Sequence, residues 1–161
     1  MKKSHGFTLI ELLIVIALLG ALAVGLLAAL DPFEQLKKGT DTGVRNTVSE
    51  IHGAIIRHYA NTTAMPYNGS TLAWQTATSA YTNVISPIVA GGELKQDFST
   101  LAGKALDKIY LTGTDVSITV CFKPDSKSFN TDPNTKYDGS GNSTTGCKSQ
   151  GGEGSCYWCV N

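Results

Sequence analysis

The chain divides into an apolar beginning and a polar remainder. Residues 7–30 are almost wholly apolar, and Lys2 and Lys3 precede them. As a helix rising 1.5 Å per residue, this run would be about 36 Å long, which exceeds the roughly 30 Å hydrocarbon core of a bilayer. The pattern therefore predicts one membrane-spanning helix. Its start faces the cytoplasm, because basic residues concentrate on that side of a membrane span.

Beyond Asp31 and Pro32 an amphipathic pattern covers residues 31–61. Its main apolar positions step by three or four residues, which places them on one helical face: Val44, Val48, Ile51, Ile55 and Tyr59. The charged residues fall mostly on the other faces, where Asp41 and Arg45 have the i,i+4 spacing of a surface pair. The pattern predicts the second half of a long helix from Phe7 to Asn61, with a kink or a restart at Asp31 and Pro32. Its apolar face would pack on a sheet.

The rest of the chain, residues 62–161, predicts a small head built on an antiparallel sheet. Three segments have the β-branched, alternating character of strands: residues 108–111, 116–122 and 156–160. The segments around them are predicted to be a loop at 61–69, a short helix at 71–85 that Pro87 ends, and a long polar loop at 123–155. The fold class is therefore α+β.

The composition of the chain disfavours several classes of function and says less about the fold. The 161 residues include 13 Lys and Arg against 13 Asp and Glu, so the formal net charge is zero. A balanced charge gives no basis for direct nucleic-acid binding, which depends on basic side chains at the phosphates. The apolar residues, 42% of the chain, are concentrated at one end, which disfavours a soluble enzyme. Phosphate-binding and nucleophile-elbow motifs are absent from the sequence, so no catalytic activity is predicted.

The two histidines beyond the apolar run are not predicted to bind a metal. His52 and His58 are six positions apart, so they do not share a helical face as i,i+4 ligands would. They are predicted to be solvated or packed helix residues.

Glu11 is the unexpected residue of the apolar run. A carboxylate inside a membrane span costs about 2.5–3.5 kcal/mol on insertion scales and marks function by default. An interfacial glutamate near the headgroups is the simpler alternative. A cleaved secretory signal is a second explanation for the apolar run. The apolar region of such a signal is only about 7–15 residues long, which is shorter than residues 7–30.

The segment from Lys2 to Leu13, KKSHGFTLIELL, resembles the class III signal of type IV pilins and related pseudopilins. In that family a membrane peptidase cuts after the glycine and methylates the new N-terminal residue. The resemblance implies that residues 1–6 are a leader, that the cut lies between Gly6 and Phe7, and that mature Phe7 is N-methylated. It also implies that Glu11, the fifth mature residue, sets subunit register by pairing with a neighbour's N-terminal amine.

The resemblance implies a structural role. The chain would be the repeating subunit of a type IV pilus, a helical homo-oligomer used in adhesion, twitching motility or DNA uptake. Its partners would be the prepilin peptidase and the assembly machinery of the inner membrane. It would span the cytoplasmic membrane once before assembly and become part of an extracellular filament afterwards. The implied fold is a long helix on a small antiparallel sheet, with a disulfide-stapled C-terminal loop.

Two other functions remain open from the sequence. The chain could be a pseudopilin of a type II secretion or competence system, which keeps the filament and changes its task. It could also be a membrane-anchored monomer whose head binds a ligand or carries out redox chemistry. The second alternative predicts that no filaments form.

Small residues recur at every fourth position of the apolar run: Ala17, Ala21, Gly25 and Ala29. Such a stripe allows membrane helices to approach closely. Alanine is also common in membrane spans, so helix packing through this stripe and simple composition are both open.

All four cysteines lie beyond the apolar run, and an even number outside the membrane predicts two disulfides. Sequence alone permits three pairings. Cys121 with Cys159 and Cys147 with Cys156 is favoured, since Cys121 and Cys159 could lie on adjacent strands. The alternatives are a redox pair at Cys156 and Cys159 or a four-cysteine zinc site, which would lack a second C-x-x-C.

One loop has oxygen-bearing side chains at alternating positions. Asp132, Asn134 and Asp138 are weak calcium candidates, because Lys136 stands where a ligand would be needed. Related pseudopilins bind calcium in a C-terminal loop. No other metal or cofactor is expected.

Overall fold

A computed structural model describes residues 6–67, 71–144 and 156–161. The chain forms two compact units, residues 1–36 and 37–161, which are described separately. The first unit contains helix α1, Leu9–Ala29, and the first turn of helix α2, Pro32–Thr62. The second unit contains the rest of α2 and the head.

The chain restarts its helix at Asp31 and Pro32. Leu30 ends α1 with an extended backbone (φ −101°, ψ 111°). The carboxylate of Asp31 then accepts a hydrogen bond from the backbone N–H of Glu34 at 3.2 Å, as an N-cap does. Proline lacks an N–H and disfavours helical geometry in the residue before it, so it suits the first position of a new helix. Of the two predicted possibilities, a kink or a restart, the restart is therefore confirmed, and the predicted long helix consists of α1 and α2.

Within the described residues, the head contains one antiparallel sheet of five strands. The strands are β1, Leu72–Thr76; β2, Ile109–Gly113; β3, Ile118–Phe122; β4, Thr135–Tyr137; and β5, Tyr157–Val160. Their order is β1-β2-β3-β5-β4. The three strands predicted from the sequence are confirmed as β2, β3 and β5, so the α+β class is confirmed.

The predicted helix over 71–85 is wrong in its first part. Residues 72–76 form β1, whose Trp74 ring stacks on Tyr110 of β2 with centroids 5.1 Å apart. A π-helical turn, Tyr81–Ile85, follows and leads into helix α3, Ser86–Ala90, so Pro87 lies inside a helix start rather than ending one. The apolar spacing of this segment also suits a helix, but pairing with β2 makes residues 72–76 a strand.

The predicted polar loop at 123–155 also contains regular structure. Helix α5, Lys127–Asn130, begins at Ser126, whose hydroxyl accepts a hydrogen bond from the N–H of Phe129. Strand β4 follows.

The segment before β2 is also regular. It contains helix α4, Phe98–Ala102, and a 3₁₀ turn, Gly103–Lys108.

The core of the head joins the apolar face of α2 to one face of the sheet. Val44, Val48, Ile51 and Ile55 are buried as predicted, and Tyr59 is half-buried. Alternate strand residues enter this core, including Ile109, Leu111, Val120, Phe122 and Trp158. The intervening residues form a second cluster that contains Tyr110, Cys121, Cys159 and Tyr157.

Candidate functional site

The predicted cleavage point lies in an exposed, non-helical stretch immediately before α1. Gly6 and Phe7 are both exposed, and 80% of the Phe7 surface is accessible. A β-carbon added at Gly6 would meet no atom within 4 Å. Nothing in the packing of the described chain therefore requires glycine at this position, so any need for glycine lies with a protein that recognises the segment.

Thr8 and Glu11 form a capping box at the start of α1. The carboxylate of Glu11 accepts hydrogen bonds from the Thr8 N–H at 2.9 Å and from the Thr8 hydroxyl at 2.7 Å. The N–H of Glu11 donates in return to the Thr8 hydroxyl at 3.3 Å. No cation among the described residues pairs with Glu11. The carboxylate of Glu11 therefore accepts hydrogen bonds from the side chain and the backbone of Thr8, and no counter-ion among the described residues balances its charge.

Helix α1 makes no buried contact. None of its 21 residues, all of them described, is buried. Its large apolar side chains range from 45% exposed at Val15 to 82% exposed at Leu9. By length and composition it is able to cross a membrane. The small residues Ala17, Ala21, Gly25 and Ala29 lie along it, and packing through them stays a prediction.

The head is closed by the disulfide between Cys121 and Cys159. These residues face each other in the β3–β5 register and are both buried. The favoured pairing is thus confirmed for this bridge, because adjacent strands bring the two side chains together. A redox pair between Cys156 and Cys159 is contradicted, since the sulfur of Cys159 is bonded to Cys121. A four-cysteine zinc site fails for the same reason.

Cys156 is also disulfide-bonded. Its predicted partner, Cys147, lies outside the described residues. The second predicted bridge therefore stays a prediction.

Residues 1–27 match the family model described as the prokaryotic N-terminal methylation motif. The chain carries the N-terminal signal of type IV pilins and pseudopilins. Comparison with curated proteins found no match, and comparison with solved structures found none either. The pilin-type signal points to a structural class of protein rather than to an enzyme family.

The matched motif and the apolar helix of the structure overlap along the chain. The matched range contains the predicted cut at Gly6 and Phe7, the carboxylate of Glu11 and most of α1. The matched segment thus contains, in sequence, the exposed stretch at Gly6 and Phe7, the capping box and most of the apolar helix. The motif and helix fit insertion in a membrane followed by assembly at the surface.

The carboxylates of two calcium candidates, Asp132 and Asp138, already accept hydrogen bonds from other groups of the chain. Asp132 accepts hydrogen bonds from the N–H of Asn134 at 2.8 Å and from the indole of Trp158 at 3.2 Å. Asp138 accepts from the N–H groups of Ser140 and Asn142 at 2.8 and 2.9 Å, and these bonds lower the pKa of its carboxyl. Across the described ranges, no group of three or more His, Cys, Asp or Glu side chains is placed to hold a metal. Calcium binding stays a prediction.

Sequence reasoning missed the role of Asp41. Asp41 as a residue is only 2% exposed, and its carboxylate accepts hydrogen bonds from the N–H groups of Asp125 and Ser126 and from the Ser126 hydroxyl. The predicted surface pair with Arg45 is wrong, because Arg45 lies over the Trp158 ring, 5.2 Å from its centroid. The signal was present in the sequence, since Asp41 is three residues before Val44 and so continues the buried stripe.

Proposed function

We propose that this chain is the subunit of a type IV pilus, assembled after cleavage between Gly6 and Phe7 and N-methylation of Phe7. The observation that carries the proposal is α1, a 21-residue apolar helix with no buried residue, most of which lies within the methylation motif at residues 1–27. An isolated helix of this kind needs another apolar environment. The membrane supplies it before assembly, and the α1 helices of other subunits supply it in a filament.

The free energy involved is large compared with the stability of a domain. Burying one Leu, Ile or Val side chain contributes about 1.5–3 kcal/mol. Every large apolar side chain of α1 is at least 45% exposed. The sum over the helix is on the order of tens of kcal/mol, so subunits would leave the membrane only when other copies cover α1.

Glu11 supplies the polar contact that fixes the register of this assembly. Cleavage creates a positive α-amino group at Phe7, and a neighbouring subunit's Glu11 can accept from it. Within one chain, the same carboxylate already accepts from the N–H and hydroxyl of Thr8. Loss of one partner from a buried charge pair costs roughly 3–5 kcal/mol, so a subunit without Glu11 assembles poorly.

The disulfide supports a pilin over a pseudopilin. The Cys121–Cys159 bridge fastens the final strand, β5, to the central strand β3. A fastened C-terminal strand suits a head that is exposed along the surface of an extracellular fibre. The second candidate function is that of a pseudopilin, which works within the cell envelope.

The test compares Glu11→Ala with Glu50→Ala, an exposed glutamate on the head part of α2. Cells making each variant are sheared, and both the sheared and membrane fractions are analysed by immunoblot, mass and electron microscopy. We expect Glu11→Ala subunits to be cleaved and retained in the membrane, and Glu50→Ala subunits to form normal filaments. Normal filaments from the Glu11→Ala variant would contradict the proposed role of Glu11 in assembly.

Abundance separates the two members of the class. A pilin should dominate the protein sheared from the surface. A wild-type chain that is processed but confined to the envelope would favour the pseudopilin.

A further inference from the structure

A cavity of about 540 Å³ opens in the head beside the edge strand β1. This volume lies within the range of about 300–1,000 Å³ that is usual for small-molecule sites. One wall is β1, and the opposite wall comes from the π-helical turn Tyr81–Ile85 and the start of α3. All the described lining residues belong to the second unit, residues 37–161. The described lining of the site therefore comes from this unit alone.

The polar part of the lining consists of side-chain amides and hydroxyls. Gln75 and Asn83 contribute amides, and Thr71 and Thr82 contribute hydroxyls. Each of these groups can both donate and accept hydrogen bonds. Within the part of the chain that the structure describes, no hydrogen bond uses any of the four side chains. Their full hydrogen-bonding capacity is available to a ligand.

The apolar part of the lining includes three rings. Pro66, Tyr67 and Pro87 line the cavity together with the aliphatic side chains of Leu72 and Ala73. The Tyr67 hydroxyl donates to the backbone oxygen of Thr114 at 2.6 Å, which fixes the ring in place. Burial and the nearby Asp115 raise the pKa of Tyr67 to about 12, so the phenol is neutral at any physiological pH.

The cavity carries no charge. None of its described lining residues is Asp, Glu, Lys, Arg or His. A phosphate, a carboxylate or an amine would therefore lose hydration on entry without gaining an ion pair. A ligand that matches this lining is neutral, has many hydroxyl groups, and has an apolar C–H face.

The walls are held by well-packed elements. Val84 and Ile85 of the π-helical turn are fully buried, and Leu72 of β1 is 7% exposed. Turns of the π type occur frequently at functional sites. A site between two anchored elements is formed before its ligand arrives, which lowers the entropy cost of binding.

From these observations we propose that the cavity binds a neutral saccharide. Gln75 and Asn83 would hydrogen-bond to its hydroxyl or acetamido groups, and the Tyr67 and proline rings would contact its C–H face. The head would thus carry a carbohydrate-binding site of its own, separate from the segment that assembles the filament.

The test uses the full chain in a detergent whose headgroup contains no sugar, because a glycosidic detergent would compete for the site. The chain is applied to an array of neutral, N-acetylated, sialylated and sulfated oligosaccharides. Each hit is then titrated by calorimetry. We expect neutral or N-acetylated sugars to bind, and we expect the double variant Gln75→Ala/Asn83→Ala to weaken binding about tenfold or more.

Two further variants make the result specific. Asn83→Asp is nearly isosteric, and it replaces an amide with a charge, so it should also weaken binding. Asn46→Ala removes an exposed amide on α2, away from the lining, and should leave the affinity unchanged. The proposal is overturned if no neutral saccharide binds, if only acidic glycans or peptides bind, or if correctly folded Gln75 and Asn83 variants keep the wild-type affinity.

Discussion

Replacing Asp41 with alanine should release the segment that follows β3 from helix α2 and strongly destabilise the head. The carboxylate of Asp41 accepts from the Ser126 hydroxyl at 2.6 Å, from the Ser126 N–H at 2.8 Å and from the Asp125 N–H at 3.1 Å. Ser126 in turn caps α5 through the N–H of Phe129. One buried side chain therefore holds both the path of the chain after β3 and the start of the next helix.

The magnitude follows from the three donors. A hydrogen bond to a charged acceptor contributes about 1.5–3 kcal/mol, and a buried donor left without a partner costs about 1–3 kcal/mol. These terms are not additive, because the released segment can regain some hydration. We expect Asp41→Ala to lower the free energy of unfolding by about 3–5 kcal/mol, a large part of the roughly 5–15 kcal/mol of a typical domain.

Urea denaturation of the full chain in detergent, followed by near-ultraviolet circular dichroism, measures this loss. Asp97→Ala is the matched control, because Asp97 is exposed and its side chain makes no capping hydrogen bond to α4. Asp41→Asn should fall between the two, since an amide keeps one acceptor but turns a donor toward the Ser126 and Asp125 groups. A change below about 0.5 kcal/mol for Asp41→Ala, within the range of ordinary surface substitutions, would refute the reasoning.

Three further predictions follow from the site and the core. Gly6→Val should block cleavage and leave the fold unchanged, because a side chain at Gly6 meets no atom; intact mass would then show the leader retained. Replacing Cys121 and Cys159 together with serine should lower the free energy of unfolding by about 2–4 kcal/mol, measured in urea, because the bridge closes a long loop (sequence separation 38). Burial lowers the pKa of His52, so the folded state favours its neutral ring. The resulting stability is present above the ordinary value of 6.5 and is lost as the pH falls below it, a slope that His52→Gln should remove in thermal melts across that range.

Each of these has a result that would contradict it. Normal cleavage of Gly6→Val would mean that the peptidase does not require glycine here. An unchanged urea midpoint without the bridge would assign the fastening of β5 to its strand contacts alone. A pH slope that survives in His52→Gln, or that disappears in the control His58→Gln, would place the titration on another group.

Features set by local pattern could be predicted from the sequence. The stripe of Val44, Val48 and Ile51 fixes the buried face of α2, since its spacing matches the helical period. The sequence favours the bridge between Cys121 and Cys159, because its pattern assigns both residues to strands. The apolar helix α1 and the methylation motif also follow from contiguous residues.

Features set by distant partners could not be predicted in the same way. Trp74 belongs to a strand because it stacks on Tyr110, and nothing near residue 74 reveals that contact. Asp41 is buried because its partners lie 84 and 85 residues further along the chain. A surface aspartate and a buried acceptor look alike until the fold brings Ser126 to it.

The proposed function requires that this chain is cleaved after Gly6, methylated at Phe7 and exported as a filament subunit. Intact mass spectrometry of protein sheared from cells that make it, with and without reductant, tests all three steps. We expect an abundant sheared chain that begins at methylated Phe7 and gains about four hydrogens on reduction, as two disulfides require. A chain that retains residues 1–6, or one found only in membranes, would contradict it.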